Sequence, residues 1–371
     1  MTSSLDDLDQ GTRSVLDTYR FDEAEFVRLR SAVCNGSISP GSNVVRGRIE
    51  PPHPEDILRL PGSGDPGHQD ARTAGLEILR AGRAASVVLN GGMATRFGGV
   101  VKGIVEAVDG RSFLELKLAQ AAQLADAVGA GVPVAVMNSF ATDQPTRDFL
   151  AERAVPPPIS FTQYVSLRLA SDCSLFRGRD GKPSLYSPGH GDFLLAFRRS
   201  GTLQALRSAG VRYVMVSNVD NVPARLDPVV LGAHALAGRP MTTEVVRNEG
   251  DVGGAPVRVD GRMVILESMR FPSAFDHSRL PVTNANTVTF DIDALDRDFE
   301  LTWLYVQKTV EDQTAVQLEH LYHEAASFLP TTYLQVPAGG PGGRFLPVKR
   351  PADLAAAQRD LRALMSAPPL D

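Results

Sequence analysis

A repeating rhythm restricts the fold of this chain more than any single motif. From Ala85 onward, short apolar runs of strand length alternate with amphipathic segments of helix length. ASVVLN precedes SFLELKLAQAAQLADAV, and VPVAVMN precedes a helical pattern around TRDFLAERA. DFLLAFRRSGTLQALRSAG, which reads as one amphipathic helix, precedes YVMVSNVD. Strands joined through helices must pair in parallel by crossover, with helices on both faces of the sheet. The expected class is therefore α/β, a Rossmann-like mixed sheet that is mostly parallel. Further on, MTTEVVRN reads as a strand and APVRVDGRMVILES as a hairpin, because Asp260-Gly261 is a strong two-residue turn signal.

Three segments follow. Residues 1–80 form an N-terminal helical extension and linker, with the helical DEAEFVRLRSAV followed by the Pro/Gly-rich EPPHPEDILRLPGSGDPGHQD. Residues 81–335 hold the main α/β unit, and residues 336–371 carry FLPVK and the helix-like PADLAAAQRDLRALM.

The chain has 371 residues, enough for a large core, and its 43% hydrophobic and 22% charged content is that of a globular protein. No apolar stretch approaches the roughly 18 residues of a membrane span, and the acidic start MTSSLDDLDQGTR is unlike a secretory signal, so a cytoplasmic protein without a membrane partner is expected. The net charge of -5 gives no basic footprint for nucleic acid but leaves room for a local cationic pocket. Cys34 and Cys173 lie far apart without a CxxC partner, which predicts reduced thiols and no structural zinc.

Within VVLNGGMATRFGGVVKG, residues 87 to 103, a buried strand breaks into a glycine-rich loop that ends on one lysine. Glycines let a ligand approach the main chain, and the loop carries two cations suited to phosphate: Arg96 with its planar fork and Lys102 as a mobile point charge. Neither the GxGxxG dinucleotide fingerprint nor the GKS/GKT of a P-loop is present. A tight turn is the plainer alternative.

Seven segments in order resemble the UDP-glucose pyrophosphorylase family, the UTP:sugar-1-phosphate uridylyltransferases. They are LNGGMATRFGG with its lysine, VPVAVMNSFATDQPTRDFL, FTQ at Phe161 to Gln163, SPGHGDFLLAFRRSGTL, VSNVDN, EVVRNEGDVGGAPV with TNANTVTF, and RFLPVKRPADLAAAQRDL. GRIEPPHPEDI is also similar to that family's proline-rich approach. The resemblance implies a glycosyltransferase-A-like nucleotidyltransferase fold. It implies a reaction in which a sugar 1-phosphate attacks the α-phosphorus of a nucleoside triphosphate, with Mg²⁺ as cofactor and pyrophosphate as leaving group.

Carried over to this chain, the resemblance assigns Arg96, Lys102 and Lys349 to the phosphates and Asp220 to the metal. Leu89, Asn90, Gly91, Gly92, Gln163, Gly189 and His190 line the nucleotide. Asn218, Asn221, Glu244, Gly253, Gly254, Asn284, Asn286 and Thr287 hold the sugar side, where Asn and Glu supply the paired donors and acceptors that hydroxyls need. Gln163 suits the imide edge of uracil, and His190 is expected to bind and not to move protons. His320 and His323, in EHLYH, have the spacing of two metal ligands on one helix face but lack a third, so a solvated helix is expected there.

The sequence departs from the family pattern at several points. GVVKG stands where the family has GPKS, EGDVGG lacks the lysine before the glycine pair, and Thr287 replaces an asparagine. Thr95-Arg96 is closer to the GTR of UDP-N-acetylhexosamine pyrophosphorylases, while GHGD favours the glucose type. The sequence stops soon after the FLPVK helix, where glucose enzymes continue into a β-helix, so a compact form, monomer or homodimer, is expected. UTP with glucose 1-phosphate is the default pair. A GTP- or UTP-dependent cyclitol 1-phosphate enzyme of the valienol type in antibiotic biosynthesis, an N-acetylhexosamine enzyme and an inactive nucleotide-sugar-binding regulator are the alternatives.

Overall fold

The structure, a computed structural model, describes residues 5–94, 99–340 and 342–370. Its centre is an eight-stranded sheet built from β1 (Ile57–Arg59), β2 (Ala84–Leu89), β3 (Val134–Asn138), β4 (Ile159–Thr162), β5 (Tyr213–Asn218), β6 (Met241–Arg247), β9 (Val282–Asp291) and β12 (Thr331–Gln335). Between them in sequence lie the hairpin strands β7 (Ala255–Val259) and β8 (Arg262–Leu266) and the pair β10 (Leu304–Val310) and β11 (Gln313–Glu319). The spatial order is β1-β12-β6-β9-β5-β2-β3-β4. Every neighbour pair is parallel except those of β9, which runs antiparallel to both β5 and β6. The sheet is thus mixed and mostly parallel, as the strand-helix rhythm requires.

Helices cover both faces. They are α1 (Gln10–Thr18), α2 (Glu23–Cys34), α3 (His68–Arg80), α4 (Phe113–Val128), α5 (Asp143–Glu152), α6 (Asp192–Arg199), α7 (Thr202–Ser208), α8 (Pro228–Ala237) and α9 (Pro351–Ser366). Burial on both faces explains why β2 is apolar along its length except for the small Ser86. Val87 enters a core with Met137, Phe193, Phe197, Phe290 and Tyr322, while Val88 enters another with Phe113, Leu116, Val136, Val348 and Leu361.

One expectation changes. The segment 192–210 is not one helix, because Gly201 at φ +84 ends the first and α7 restarts after it. Within the N-terminal segment, β1 joins the edge of the central sheet beside β12. Cys34 and Cys173 are free thiols that meet at the end of α2, and burial first, then Cys34, pushes the Cys173 thiol up to about 11.

Candidate functional site

The chain runs from β2 through α4 to β3 on one side, whereas β5 lies on the other side of β2. The carboxyl ends of β2 and β5 therefore flank a topological switch point, the place where open α/β sheets bind ligands. Leu89, the last residue of β2, is in register with Met137 of β3 and Asn218 of β5. Three strand ends thus deliver the 90–94 segment, Asn138 and Asp220 to one edge.

On the nucleotide side the structure brings Gly91, Gln163 and Gly189 together. A Cβ added at Gly91 would overlap Gln163 Oε1, and Gln163 Nε2 donates to the Gly189 carbonyl at 2.5 Å. Gly189 has φ +91, and a side chain on it or on Gly191 would meet the His320 main chain at 2.8 and 2.6 Å. Gln163 is buried and its amide nitrogen is engaged, so Oε1 is the atom it presents toward the Gly91 loop. Gly92 is exposed, and a Cβ added there would meet nothing within 4 Å among the described residues.

His190 packs its ring against Tyr322 and His323, with centroids at 5.0 and 5.5 Å. Its Nδ1 accepts from the Tyr322 backbone N–H at 3.3 Å. Burial, reinforced by His323 and His320, lowers its pKa to about 3, so the ring is neutral and offers Nε2–H as a donor. Asn90, of the nucleotide set, is 1% exposed; its Nδ2 donates to Asn138 Oδ1 at 2.8 Å and Thr146 Oγ1 at 3.0 Å, while its buried Oδ1 has no partner among the described residues. Gly103 is required there, because a Cβ on it would overlap Asn90 Oδ1.

The phosphate and metal residues meet directly. Lys102 Nζ lies 2.6 Å from Asp220 Oδ2, with both side chains partly open to solvent. Lys349 is exposed at the start of α9, where its backbone N–H donates to Asp353 Oδ2 at 3.0 Å, and its charge is felt at Glu267. Arg96 lies outside the described residues. Among those described, no group of three or more His, Cys, Asp or Glu side chains is placed to hold a metal.

The sugar-side set divides. Asn284 and Asn286 clasp each other, with Asn284 Nδ2 donating to Asn286 Oδ1 at 2.9 Å and the Asn286 N–H returning to Asn284 Oδ1 at 3.1 Å. They sit at a bulge where Ala285, Asn286 and Thr287 of β9 oppose Glu244 alone on β6, and Asn286 takes φ +51. The Gly254 carbonyl accepts the Asn284 N–H at 2.8 Å. Asn218 stands half-buried at the end of β5, and a Cβ added at Gly253 would come within 3.5 Å of the Asp251 carboxylate.

Three assignments are corrected. Glu244 is 1% exposed and both its oxygens accept from Arg344, at 2.7 Å each. Asn221 spends its side chain on the same segment, donating to the Arg344 carbonyl at 3.1 Å and accepting from the Leu346 N–H at 2.9 Å. Thr287 is fully buried within β9 opposite Ser217.

Sequence reasoning missed Glu267, Tyr322, His323 and Lys117. Glu267 follows the hairpin strand β8, and a Cβ on Gly254 would lie 2.5 Å from its Oε1. His323 Nε2 is 3.3 Å from that oxygen, burial raises the Glu267 pKa, and Tyr322 OH donates to the Asn286 carbonyl at 2.9 Å. EHLYH is therefore not a solvated helix. His320 and His323 are 8% and 1% exposed, on a strand end and a short 3-10 turn. The paired histidines were a visible signal, but only the tertiary fold places them against Gly189 and Gly254. Lys117 lies beneath β5, with Nζ donating to the Ala224 carbonyl at 2.5 Å and to Ser217 Oγ at 3.2 Å. Burial, then Arg344, brings its pKa down to about 7.

Two cavities border these groups. One of about 640 Å³ sits behind the 188–192 turn and is lined by Asp192 and His320, and one of about 720 Å³ lies beside Gly340, Gly342 and α9 and reaches Arg344. Convergence of polar groups, and not volume, marks the site. No helix among the described residues is long and apolar enough to cross a membrane.

A family model described as UTP--glucose-1-phosphate uridylyltransferase matches residues 24–367. The UTP--glucose-1-phosphate uridylyltransferase of Solanum tuberosum is 31% identical over 294 residues, covering 74% of this chain and 61% of that protein. The chain spans about three fifths of the length of such curated relatives. A UDP-glucose phosphorylase from Trypanosoma brucei shares the fold with a TM-score of 0.75 and 24% identity, over 92% of this chain and 77% of that one. A variant UDP-glucose pyrophosphorylase from Leishmania major, solved in complex with UDP-glucose, gives 0.72 and 22% over 95% of this chain and 80% of that one.

Proposed function

The chain belongs to the UTP--glucose-1-phosphate uridylyltransferase family, and on that premise we propose that it transfers a nucleotidyl group from UTP to a sugar 1-phosphate, glucose 1-phosphate by default. A phosphate oxygen of the sugar 1-phosphate attacks the α-phosphorus of UTP, the bond from that phosphorus to the bridging oxygen breaks, and pyrophosphate leaves on the opposite side. The attacking oxygen is already anionic, so the protein needs no nucleophile of its own. Its work is to align two polyanions and offset their charge.

The observation that carries this reading is the Lys102–Asp220 contact at the switch point, beside the Gly91, Gln163 and Gly189 cradle. Gln163 Oε1 accepts the imide N–H of the base. His190, neutral, donates from Nε2 to a ligand oxygen. Lys102 turns from Asp220 to the phosphates, and Lys349 and Arg96 supply further positive charge. On the sugar side, Asn286, Asn284, Gly254 and Glu267 offer the mixed donors and acceptors that hydroxyls require.

Magnesium is held characteristically by one or two carboxylates, with substrate phosphates and water completing the shell. The carboxylate of Asp220, partly open and at a strand end, fits that pattern, with the remaining oxygens coming from substrate. When bound, the ion would neutralise charge on phosphate oxygens. A reaction fed by nucleoside triphosphate belongs in the cytoplasm.

The test is a matrix of the four nucleoside triphosphates against hexose, N-acetylhexosamine and cyclitol 1-phosphates, read by pyrophosphate release. Turnover with UTP and glucose 1-phosphate above all other pairs is expected. Release with no pair, with magnesium present, would refute the reading.

A further inference from the structure

The turn Gly189–Asp192 is gripped from behind by a set of contacts that the nucleotide chemistry does not use. His320 accepts the Gly191 N–H on its carbonyl at 2.8 Å and donates its own N–H to the Pro188 carbonyl at 2.9 Å. Its ring Nε2 donates to Asp192 Oδ1 at 2.7 Å, and the other carboxylate oxygen of Asp192 accepts the Tyr164 N–H at 2.9 Å. Both His320 and Asp192 are buried. Tyr164 is the residue after Gln163, and Gln163 is bonded to Gly189. The Asp192 carboxylate therefore ties the two strands of chain that frame the base together.

The outer face of His320 stacks on Trp303, with centroids 4.3 Å apart and planes 11° from parallel. Trp303 Nε1 in turn donates to Glu25 Oε1 of α2 at 3.1 Å. The indole thus backs the imidazole, which holds the carboxylate, which ties Gln163 to the Gly189 turn, so that a change at the turn is passed back to Trp303.

Resting on the reading of the site given above, we propose that His320 is a positioning residue of the nucleotide site: its ring, clamped between Trp303 and Asp192, sets the spacing between Gln163 and the Gly189 turn and thereby the affinity for the base. On the sugar side Asn284, Asn286 and Gly254 bond to one another, and the chain around His320 reaches them through Tyr322 and not through the His320 ring.

The test uses two substitutions. His320→Leu keeps bulk but removes the donor, whereas His320→Gln keeps an amide N–H near the position of Nε2. His320→Leu should raise KM for UTP about tenfold, the size of one charge-assisted hydrogen bond, with KM for the sugar 1-phosphate changed less than about twofold. His320→Gln should recover most of that loss. A His320→Leu enzyme that melts earlier but keeps its KM for UTP, or a His320→Gln enzyme as impaired as His320→Leu, would overturn the proposal.

Trp303 is the single tryptophan in the chain, which gives a second readout that needs no variant. Titrating the native protein with UTP should shift the tryptophan emission saturably, since the ring lies two contacts from the Gly189 turn. An unchanged emission at saturating UTP, with binding shown by calorimetry, would overturn the proposal. Native protein that binds UTP but releases no pyrophosphate with any sugar 1-phosphate would refute the assigned reaction alone, and the emission titration then decides the role of His320 by itself.

Discussion

Replacing Glu244 with Gln separates a structural carboxylate from a ligand-binding one. The side chains of Arg344 and Glu244 are 4% and 1% exposed, and they share two contacts at 2.7 Å. Removing one charge of such a pair strands the other in a medium that solvates it poorly, at a cost of roughly 3–5 kcal/mol. With an unfolding entropy of about 2.1 cal/mol/K per residue, the 371 residues give about 0.8 kcal/mol/K, so the melting temperature should fall by about 4–6 °C. Glu244→Gln and Arg344→Met should each show this loss by calorimetry. The double variant should lose less than the sum, by about 2 kcal/mol, because it removes both charges. KM for the sugar 1-phosphate, measured on folded enzyme at 20 °C, should change less than about threefold. A Glu244→Gln enzyme with native melting temperature and a raised KM for the sugar would show that the carboxylate faces substrate, and the assignment of this pair to the scaffold would fail.

Three further outcomes are expected. Gly91→Ala places a methyl group on Gln163 Oε1 without backbone strain, so KM for UTP should rise about tenfold at nearly constant melting temperature; an unchanged KM would remove Gln163 from base reading. Lys102→Ala should lower kcat by about 10²–10³, as loss of one preorganised charge does, with little change in thermal stability; near-native turnover would reject its role. Lys117 has a folded pKa of about 7 against 10.5 when free, so between those values the unfolded chain binds more protons, and stability rises with pH. Its contribution is full above about 10.5 and is lost as pH falls toward about 7, at up to about 1.4 kcal/mol per pH unit. Urea unfolding from pH 7 to 10 should show that slope in the native protein and a shallower one in Lys117→Met, and parallel curves would refute the assignment.

Local chemistry made much of the fold legible. The Asp260-Gly261 turn appears where its residues demand, with φ of 48 and 81, and the strand-loop at 84–92 lies at the sheet's switch point. The family resemblance, and not local chemistry, put Gly91, Gln163 and Gly189 on one ligand and Lys102 and Asp220 at the phosphates and metal; the structure brings each set together. The sequence could not say which polar side chains turn inward. Asn221 and Glu244 are of the right chemical type for ligands, yet each is consumed by a partner 123 and 100 residues away. Such choices rest on how distant segments pack, which no local pattern encodes. EHLYH failed for the same reason: its spacing suits a helix, but burial against Gly189, Asp192 and Glu267 decides its conformation and its surroundings.

The pairing of Arg344 with Glu244, and of the 344–346 main chain with Asn221, has a bearing on how the protein is made. Asn221, next to Asp220, and the buried acid Glu244 of β6 wait for a partner, Arg344, that leaves the ribosome 123 and 100 positions later. Until then this corner holds an unmatched negative charge and two unmet amide bonds. A nascent chain halted before Arg344 should therefore stay open there, with the sheet largely formed and the edge beside Asp220 still unset.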